Sequence, residues 1–457
     1  MNIDPHIFRA YDIRGVVETA LKPEVVALIG QALGSLYPNS NTVVVARDGR
    51  TSSKQLVDSL SKGLQASGCR VIDIGEVPTP VLYYATHKLS TGAGVMVTGS
   101  HNPPEYNGLK MVMDGRTLHG EDIQAIHQCI VNKALKSSEA GSIKQEHLLD
   151  DYIARICDDI KLDRPLRIGV DCGNGVAGPA ALTLFKQLDC EIFDLYCDVD
   201  GSFPNHHPNP SDPKNLKDLI ECVHKNNLHL GLAFDGDGDR VGVIDDKGEV
   251  LWADRQMMLY SRDVLSRKPG AKIIFDVKSS RNLAAVIEDA GGEAIMWKTG
   301  HSFIKNKMAE TGAELAGEMS GHIFFKERWY GFDDALYSAA RLLEIIAKQD
   351  LTSSELFSTL PNSISTPEIN VHFDEDGAQH EFMQKFASLV DLPDAKITTI
   401  DGIRADYQNG WGLVRASNTT PSLVIRFEAD DESVIESIKN DFRQQMSKTD
   451  SNIKLPF

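Results

Sequence analysis

Two short runs of this chain have the residue types and spacing of a reactive site: Thr98-Gly99-Ser100-His101-Asn102-Pro103 and Asp235-Gly236-Asp237-Gly238-Asp239-Arg240. In the second, carboxylates at i, i+2 and i+4 share one face of an extended segment. The glycines between them let the loop curl until three hard oxygen donors meet at one cation. Mg²⁺ suits such a set, because it takes few protein carboxylates and fills its octahedron with water or a substrate phosphate. An EF-hand calcium loop also begins with alternating aspartates, but its sixth position needs Gly and its twelfth needs Glu, where this chain has Arg240 and Asp246. The first run places one hydroxyl, Ser100, in a turn-forming context directly after an apolar segment, residues 93–97. A Ser-His pair adjacent along the chain is no Ser-His-Asp triad, whose members meet in space. A serine together with a cation site is the pair that phosphoryl transfer needs.

Two further runs read as recognition loops. In Gly317-Glu318-Met319-Ser320-Gly321-His322 the side chains of Glu318 and Ser320 alternate onto one face, and a carboxylate with a hydroxyl suits sugar hydroxyls. Arg415-Ala416-Ser417-Asn418-Thr419-Thr420-Pro421 supplies a guanidinium, short hydroxyls, an amide and open backbone N–H groups, the makings of a phosphate cradle. The net charge of −18 gives no basic stripe for nucleic acid, and it repels a phosphosugar in general. A local cationic cluster must therefore draw that substrate in, and Arg14, Lys110, Arg240, Lys278 and Arg415 are its expected members. Charges outside these motifs read as solvated faces. The glycine-rich 171–178 lacks G-x-G-x-x-G spacing and reads as a βα turn, and His206-His207-Pro208 as a loop without ligand spacing.

Together these runs resemble the α-D-phosphohexomutase superfamily, and more specifically its bacterial phosphomannomutase/phosphoglucomutase group. Phe8-Arg9-Ala10-Tyr11-Asp12-Ile13-Arg14-Gly15, Asn107-Gly108-Leu109-Lys110 and Lys298-Thr299-Gly300-His301-Ser302 are also similar to segments of that family, so the likeness runs from residue 8 to 421. It implies that Ser100 carries a phosphoryl group and, with Asp235, Asp237 and Asp239, holds Mg²⁺. It also implies that Tyr11, Arg240, Lys278, His301, Glu318, Ser320, His322, Arg415, Ser417, Asn418 and Thr419 contact the substrate. The implied reaction passes a phosphoryl group between C6 and C1 of mannose or glucose phosphates through a hexose 1,6-bisphosphate, which serves as intermediate and activator. Arg14, Lys110, His301 and His322 all remain in contention for handling the sugar hydroxyl proton. Met319 resembles the mannose/glucose group; phosphoglucosamine mutases, the alternative enzyme, carry a polar residue there. A non-catalytic sugar-phosphate or Mg²⁺-binding protein is the alternative of a different class.

A chain of 457 residues with 42% hydrophobic content must divide into several cores. Apolar runs at 42–46, 70–74 and 93–97, at 167–171, 229–234 and 240–244, and at 272–276, 293–297 and 322–325 read as strands. Helix candidates at 56–65 and 81–87 lie between the first of them. The expectation is three similar mixed-sheet α/β domains, residues 1–146, 147–248 and 249–361, around a central cleft. A smaller C-terminal α+β domain, 362–457, follows, with strands at 369–373, 411–415 and 423–427 and a terminal helix from about 432. No fixed-period repeat is visible. Seven cysteines without a C-x-x-C pair imply reduced thiols in a cytoplasmic chain. No leader pattern or membrane-spanning run occurs. The partners are small phosphosugars, neither nucleic acid nor membrane; the oligomeric state stays open, a monomer being compatible.

Overall fold

The computed structural model describes residues 3–375, 377–418 and 420–457. Four sheets follow one another along the chain. In the first, seven-stranded sheet, Gly94–Val97, Thr42–Arg47, Arg70–Glu76 and Ile143–Gln145 run parallel, while Tyr106–Met113 and then Ile13–Val16 add antiparallel beside Gly94–Val97. The second sheet orders Val250–Leu251, Val241–Asp245, Leu230–Phe234, Arg167–Asp171 and Glu191–Leu195. The third orders Glu293–Trp297, Lys272–Asp276, Leu315–Gly317 and Ile323–Phe325, and the fourth is six-stranded and antiparallel throughout. This is the expected arrangement of three mixed-sheet α/β units and a C-terminal α+β unit. The turn at 246–249 lies inside a hairpin, so Val250–Leu251 still belongs to the second sheet, just past residue 248.

Each sheet contains one antiparallel hairpin whose connection is one of the four chemical loops. Gly94–Val97 turns into Tyr106–Met113 through the serine loop, and Leu230–Phe234 into Val241–Asp245 through the aspartate loop. Leu315–Gly317 turns into Ile323–Phe325 through the Glu318 loop, and Gly410–Ala416 into Ser422–Ala429 through the arginine loop. In the three mixed sheets the loop leaves the carboxyl end of a strand that also pairs in parallel, the edge where open α/β sheets place their ligands.

The apolar segments read as strands form where expected; Thr42–Arg47, Leu230–Phe234 and Lys272–Asp276 are buried on both faces, and the first and third carry β-branched residues as well. The helix Ala335–Ala347 escaped the sequence reading. All of its residues are buried, so Ser338, Arg341 and Glu344, a polar stripe at three-residue spacing, face partners inside the protein and not solvent. It belongs to one apolar cluster that runs continuously from Val44 in the first unit through Phe234 in the second to Leu343 in the third. The fourth unit has its own core around Phe386, Phe427 and Phe442.

The attachment of that fourth unit to the third is mostly polar. Trp411 sits fully buried in the seam beside Val277, with the Arg404 guanidinium 3.9 Å from its ring centroid. Arg404 Nη1 donates across the seam to the carbonyls of Val277 at 2.7 Å and Ser279 at 2.9 Å. Trp411→Ala is expected to cost about 3–5 kcal/mol in denaturant unfolding. In hydrogen exchange, amides of the C-terminal unit should lose protection before those of the other three.

Candidate active site

The four loops converge on a cavity of about 860 Å³. Ser100 stands at its floor with a positive φ of +50° and 1% exposure, a strained backbone that only a well-braced loop retains. The brace is Arg50, fully buried. Its Nη1 donates to the carbonyls of Pro103 and Tyr106 at 2.6 and 3.1 Å, and its Nη2 to those of Ser100 and Asn102 at 2.8 and 2.6 Å. Asp48 holds Arg50 Nε at 3.2 Å and accepts the Gly99 N–H at 3.0 Å with the same carboxylate. Five donors in a planar fork allow one side chain to organise a whole loop.

The Ser100 hydroxyl lies 3.1 Å from Asp235 Oδ2, so the serine and aspartate loops touch. They touch through backbone as well. A Cβ on Gly236 would meet the Ser100 carbonyl oxygen at 2.4 Å, and Thr79 N at the start of the helix Thr79–Lys88 donates to the Asp237 carbonyl at 2.9 Å. Asp235, Asp237 and Asp239 have no exposed surface, and one oxygen from each lies within 4.8 Å of the others. Burial, then Asp237 and Asp239, push the Asp235 carboxyl well above its usual value, and burial and Asp237 raise Asp239. Burial opposes ionisation of Asp237 as well, yet Lys110 and Thr79 hold it below the carboxylate range. Lys110 Nζ bridges Asp237, at 2.6 Å, and Asp239. Burial works against that ammonium, but the surrounding carboxylates keep it charged. Asp237 Oδ1 and Asp239 Oδ1 are buried with no hydrogen-bond partner among the described residues. Such hard oxygens, short of positive charge, fit a small dication.

On the cavity wall, Arg14 donates to Asp12 and Asn102, which ties the opening segment to the serine loop. Tyr11 packs edge-on against His301 with ring centroids 5.5 Å apart. His322 Nε2 accepts from Arg240 Nε at 2.9 Å, while its Nδ1 faces Asp333 Oδ2 at 3.1 Å and Asp239 Oδ1 at 3.5 Å. Asp239, His322 and Asp333 lie close enough for a second metal, but the arginine argues against one. Arg240 can only donate, so Nε2 must be the acceptor and Nδ1 carries the proton, which leaves no lone pair for a metal.

Glu318 is buried, accepts the Gly300 N–H, and is raised above its usual value chiefly by burial. Ser320 and Met319 line the cavity beside it. Lys278 pairs with Glu368 at 2.6 Å. Arg415 Nε donates at 2.9 Å to Asp401 Oδ2, the oxygen that also accepts Thr299 N from the third unit at 3.0 Å. Ser417 and Asn418 line the same wall, and Thr419 lies outside the described residues. All five cations expected to gather do line this one cavity, and Arg426 joins them.

Four family models match in order: the phosphoglucomutase/phosphomannomutase alpha/beta/alpha domains I, II and III over residues 5–137, 150–248 and 252–364, and its C-terminal domain over 368–445. The chain belongs to the phosphoglucomutase/phosphomannomutase family. Members of this family are mutases that move a phosphoryl group between C1 and C6 of hexose phosphates. A phosphomannomutase/phosphoglucomutase of Pseudomonas aeruginosa is 55% identical over 455 residues, 99% of this chain and 97% of that protein. A phosphoglucomutase of Neisseria meningitidis serogroup A is 50% identical over 447 residues, 97% of each. The crystal structure of a phosphoglucomutase/phosphomannomutase family protein from Burkholderia thailandensis matches with a TM-score of 0.94 at 48% identity, covering 100% of both chains.

Within this family architecture, sequence reasoning missed the residues that act from behind the loops: Asp48, Arg50, Lys305, Asp333 and Asp401. Their charges read as solvated faces, but Asp48, Arg50 and Asp333 are buried. Asp48-Gly49-Arg50 directly after a buried strand was the available signal, because the run is closely packed: a Cβ on Gly49 would meet the Val199 side chain at 2.1 Å, and one on Gly201 the Gly49 carbonyl at 2.5 Å and Arg50 Cα at 2.6 Å. The contact of Gly236 with Ser100 gives a direct test. Gly236→Ala should keep the fold by circular dichroism, yet lower both divalent-cation affinity and mutase turnover. An overpacking cost of about 1–3 kcal/mol at the loop contact corresponds to roughly five- to 150-fold.

Proposed function

We propose that this chain interconverts hexose 6-phosphates and hexose 1-phosphates, with mannose and glucose as the sugars, through a phosphoryl group carried on Ser100. The observation that carries the reading is the Ser100 hydroxyl, 3.1 Å from a buried three-carboxylate cluster, at the floor of a cavity walled by cations. Relatives at 50–55% identity named for mannose and glucose substrates support the choice of sugars, as does the apolar Met319 on the cavity wall.

In the forward half-reaction the free hydroxyl of the bound sugar phosphate attacks the phosphorus on Ser100. The serine oxygen leaves, so the sugar hydroxyl loses a proton and Ser100 regains one. The resulting 1,6-bisphosphate turns round, and Ser100 takes the other phosphoryl group. Phosphoryl transfer passes through a loose transition state with charge on the equatorial oxygens, so positioning and cationic donors carry most of the catalysis. Arg14 and Lys110, both held in the charged form by neighbouring carboxylates, serve as those donors beside Ser100. Glu318 and Ser320 take the sugar hydroxyls, and Arg415, Ser417, Asn418 and Thr419 hold the phosphate that is not reacting. Asp235, Asp237, Asp239 and the Ser100 oxygen would hold Mg²⁺, which when bound supplies positive charge at the transferring group. Hexose 1,6-bisphosphate would also recharge a dephosphorylated serine.

Ser100→Ala is expected to fold normally and to lose at least about a thousandfold in turnover, since a covalent carrier has no substitute. Intact mass of the wild type, incubated with glucose 1,6-bisphosphate, should show one phosphoryl group that the variant lacks. Wild-type turnover in the variant would sink the reading. Removal of divalent metal by a chelator, or Asp237→Asn, should also abolish most turnover, with recovery on Mg²⁺ addition only for the wild type.

A further inference from the structure

Lys305 projects from the helix His301–Thr311, one turn after His301, and lies outside the cavity lining. Its ammonium makes three contacts: the Asp333 carboxylate at 2.7 Å, the Tyr83 hydroxyl at 3.0 Å and His301 Nδ1 at 3.2 Å. Burial lowers the Lys305 pKa and the Asp333 carboxylate opposes that shift; as an ammonium the group has three protons to donate and no lone pair to accept with. The three contacts therefore use all three protons, and His301 Nδ1 must present its lone pair. Asp333 Oδ2, at 3.8 Å from Nδ1, is too far to compete for a ring proton. Burial, then Lys305, hold the ring well below its usual value, so it stays neutral. In a neutral imidazole whose Nδ1 accepts, Nε2 carries the hydrogen.

That Nε2 is buried, has no partner among the described residues, and belongs to a side chain lining the cavity. The neighbouring His322, stacked at 5.5 Å between centroids, is set the opposite way by Arg240, with Nε2 accepting and Nδ1 protonated. Two cations that can only donate thus fix two adjacent rings in opposite tautomers.

We propose that Lys305 is a positioning residue that locks His301 in the Nε2–H tautomer, so that His301 meets the sugar phosphate as a neutral hydrogen-bond donor and not as a base. The role rests on the mutase reading only for what the donor is used on. It also joins the first unit to the third, because Tyr83 belongs to the helix Thr79–Lys88 and Lys305 to His301–Thr311.

The test reads the ring nitrogens directly. Two-bond proton–nitrogen correlation spectra of the full chain labelled with ¹⁵N-histidine, assigned by loss of one ring in His301→Gln, should show a bare Nδ1 and a protonated Nε2 for His301. Lys305→Met should move that ring to the Nδ1–H form or to a mixture. Turnover measured as kcat/KM should fall roughly ten- to hundredfold, the worth of one hydrogen bond at a charged group. Lys305→Arg, which can again only donate, should restore the bare Nδ1 and part of the rate. A protonated Nδ1 in the wild type overturns the proposal, and that spectrum decides alone if Lys305→Met does not fold. A folded Lys305→Met with the wild-type tautomer and rate also overturns it. The expected tautomer in a chain that turns over no hexose phosphate would uphold the lock and defeat the mutase reading instead.

Discussion

The bridge from Lys110 to Asp237 and Asp239 is the interaction on which the rest of the site depends. Three carboxylates with no exposed surface repel one another in a medium far less polar than water, and an isolated ionised carboxylate there is costly. Lys110 comes from the first sheet, on the strand Tyr106–Met113, and the aspartates come from the second. The seam between these two units is therefore closed by the charges of the site itself. One ammonium does not neutralise three carboxylates, and Arg240 reaches Asp235 only at 3.9 Å. The remaining deficit is what a dication would relieve, at the point where the Ser100 hydroxyl also arrives.

Charge balance explains the seam, and the sheets explain the geometry. Each unit offers one hairpin connection, so Ser100, the three aspartates, the Glu318–Ser320 pair and Arg415 are brought together by four copies of one local device. The first three units share a continuous apolar cluster, which fixes three of those loops relative to one another as firmly as a protein interior allows. The fourth is joined mainly through hydrogen bonds and the buried Trp411. Asp401, accepting from both Arg415 and Thr299, is the point where the anion loop is registered against the Gly300 loop that precedes His301.

Much of this was legible in the sequence because the signals were local. Residues 167–171, 272–276 and 293–297 form strands with the bounds their apolar runs suggest, and the alternating aspartates do converge, but through a turn after the strand ends at Phe234, with Gly238 at a φ of +73°, and not along an extended segment. The structural repetition was legible as three similar blocks of alternating strands and helices, although no fixed-period repeat showed it, since sheets ask only for apolar residues at inward positions and leave loop length free. The supporting charges were hidden. Arg50, Lys305 and Asp333 look like any surface charge in the sequence, and only the fold shows that each is enclosed by partners far away along the chain. Ala335–Ala347 shows the same limit: Arg341 and Glu344 read as a solvated face in the sequence, and only the fold shows them enclosed by Asp263, Glu327 and Arg328.

The charged groups lining the cavity are mostly cations, set against the carboxylates of Asp212, Glu318 and Glu368. Arg14, Lys110 and Arg240 come from the first two units, Lys278, Arg415 and Arg426 from the last two, and the tautomer assigned to His301 adds an N–H between them. Cations from all four units line the cavity, so for a substrate with a phosphate at each end positive charge is not supplied by one unit alone. On the same wall Glu318 and Ser320 add one carboxylate and one hydroxyl, and under the proposed function these would accept from or donate to sugar hydroxyls without regard to which carbon carries the reacting phosphate. For the proposed bisphosphate turn, this spread of charge matters more than the identity of any one residue. A site that held one orientation much more tightly than the other would trap the intermediate half-way, since only differences in binding between the two orientations set their populations.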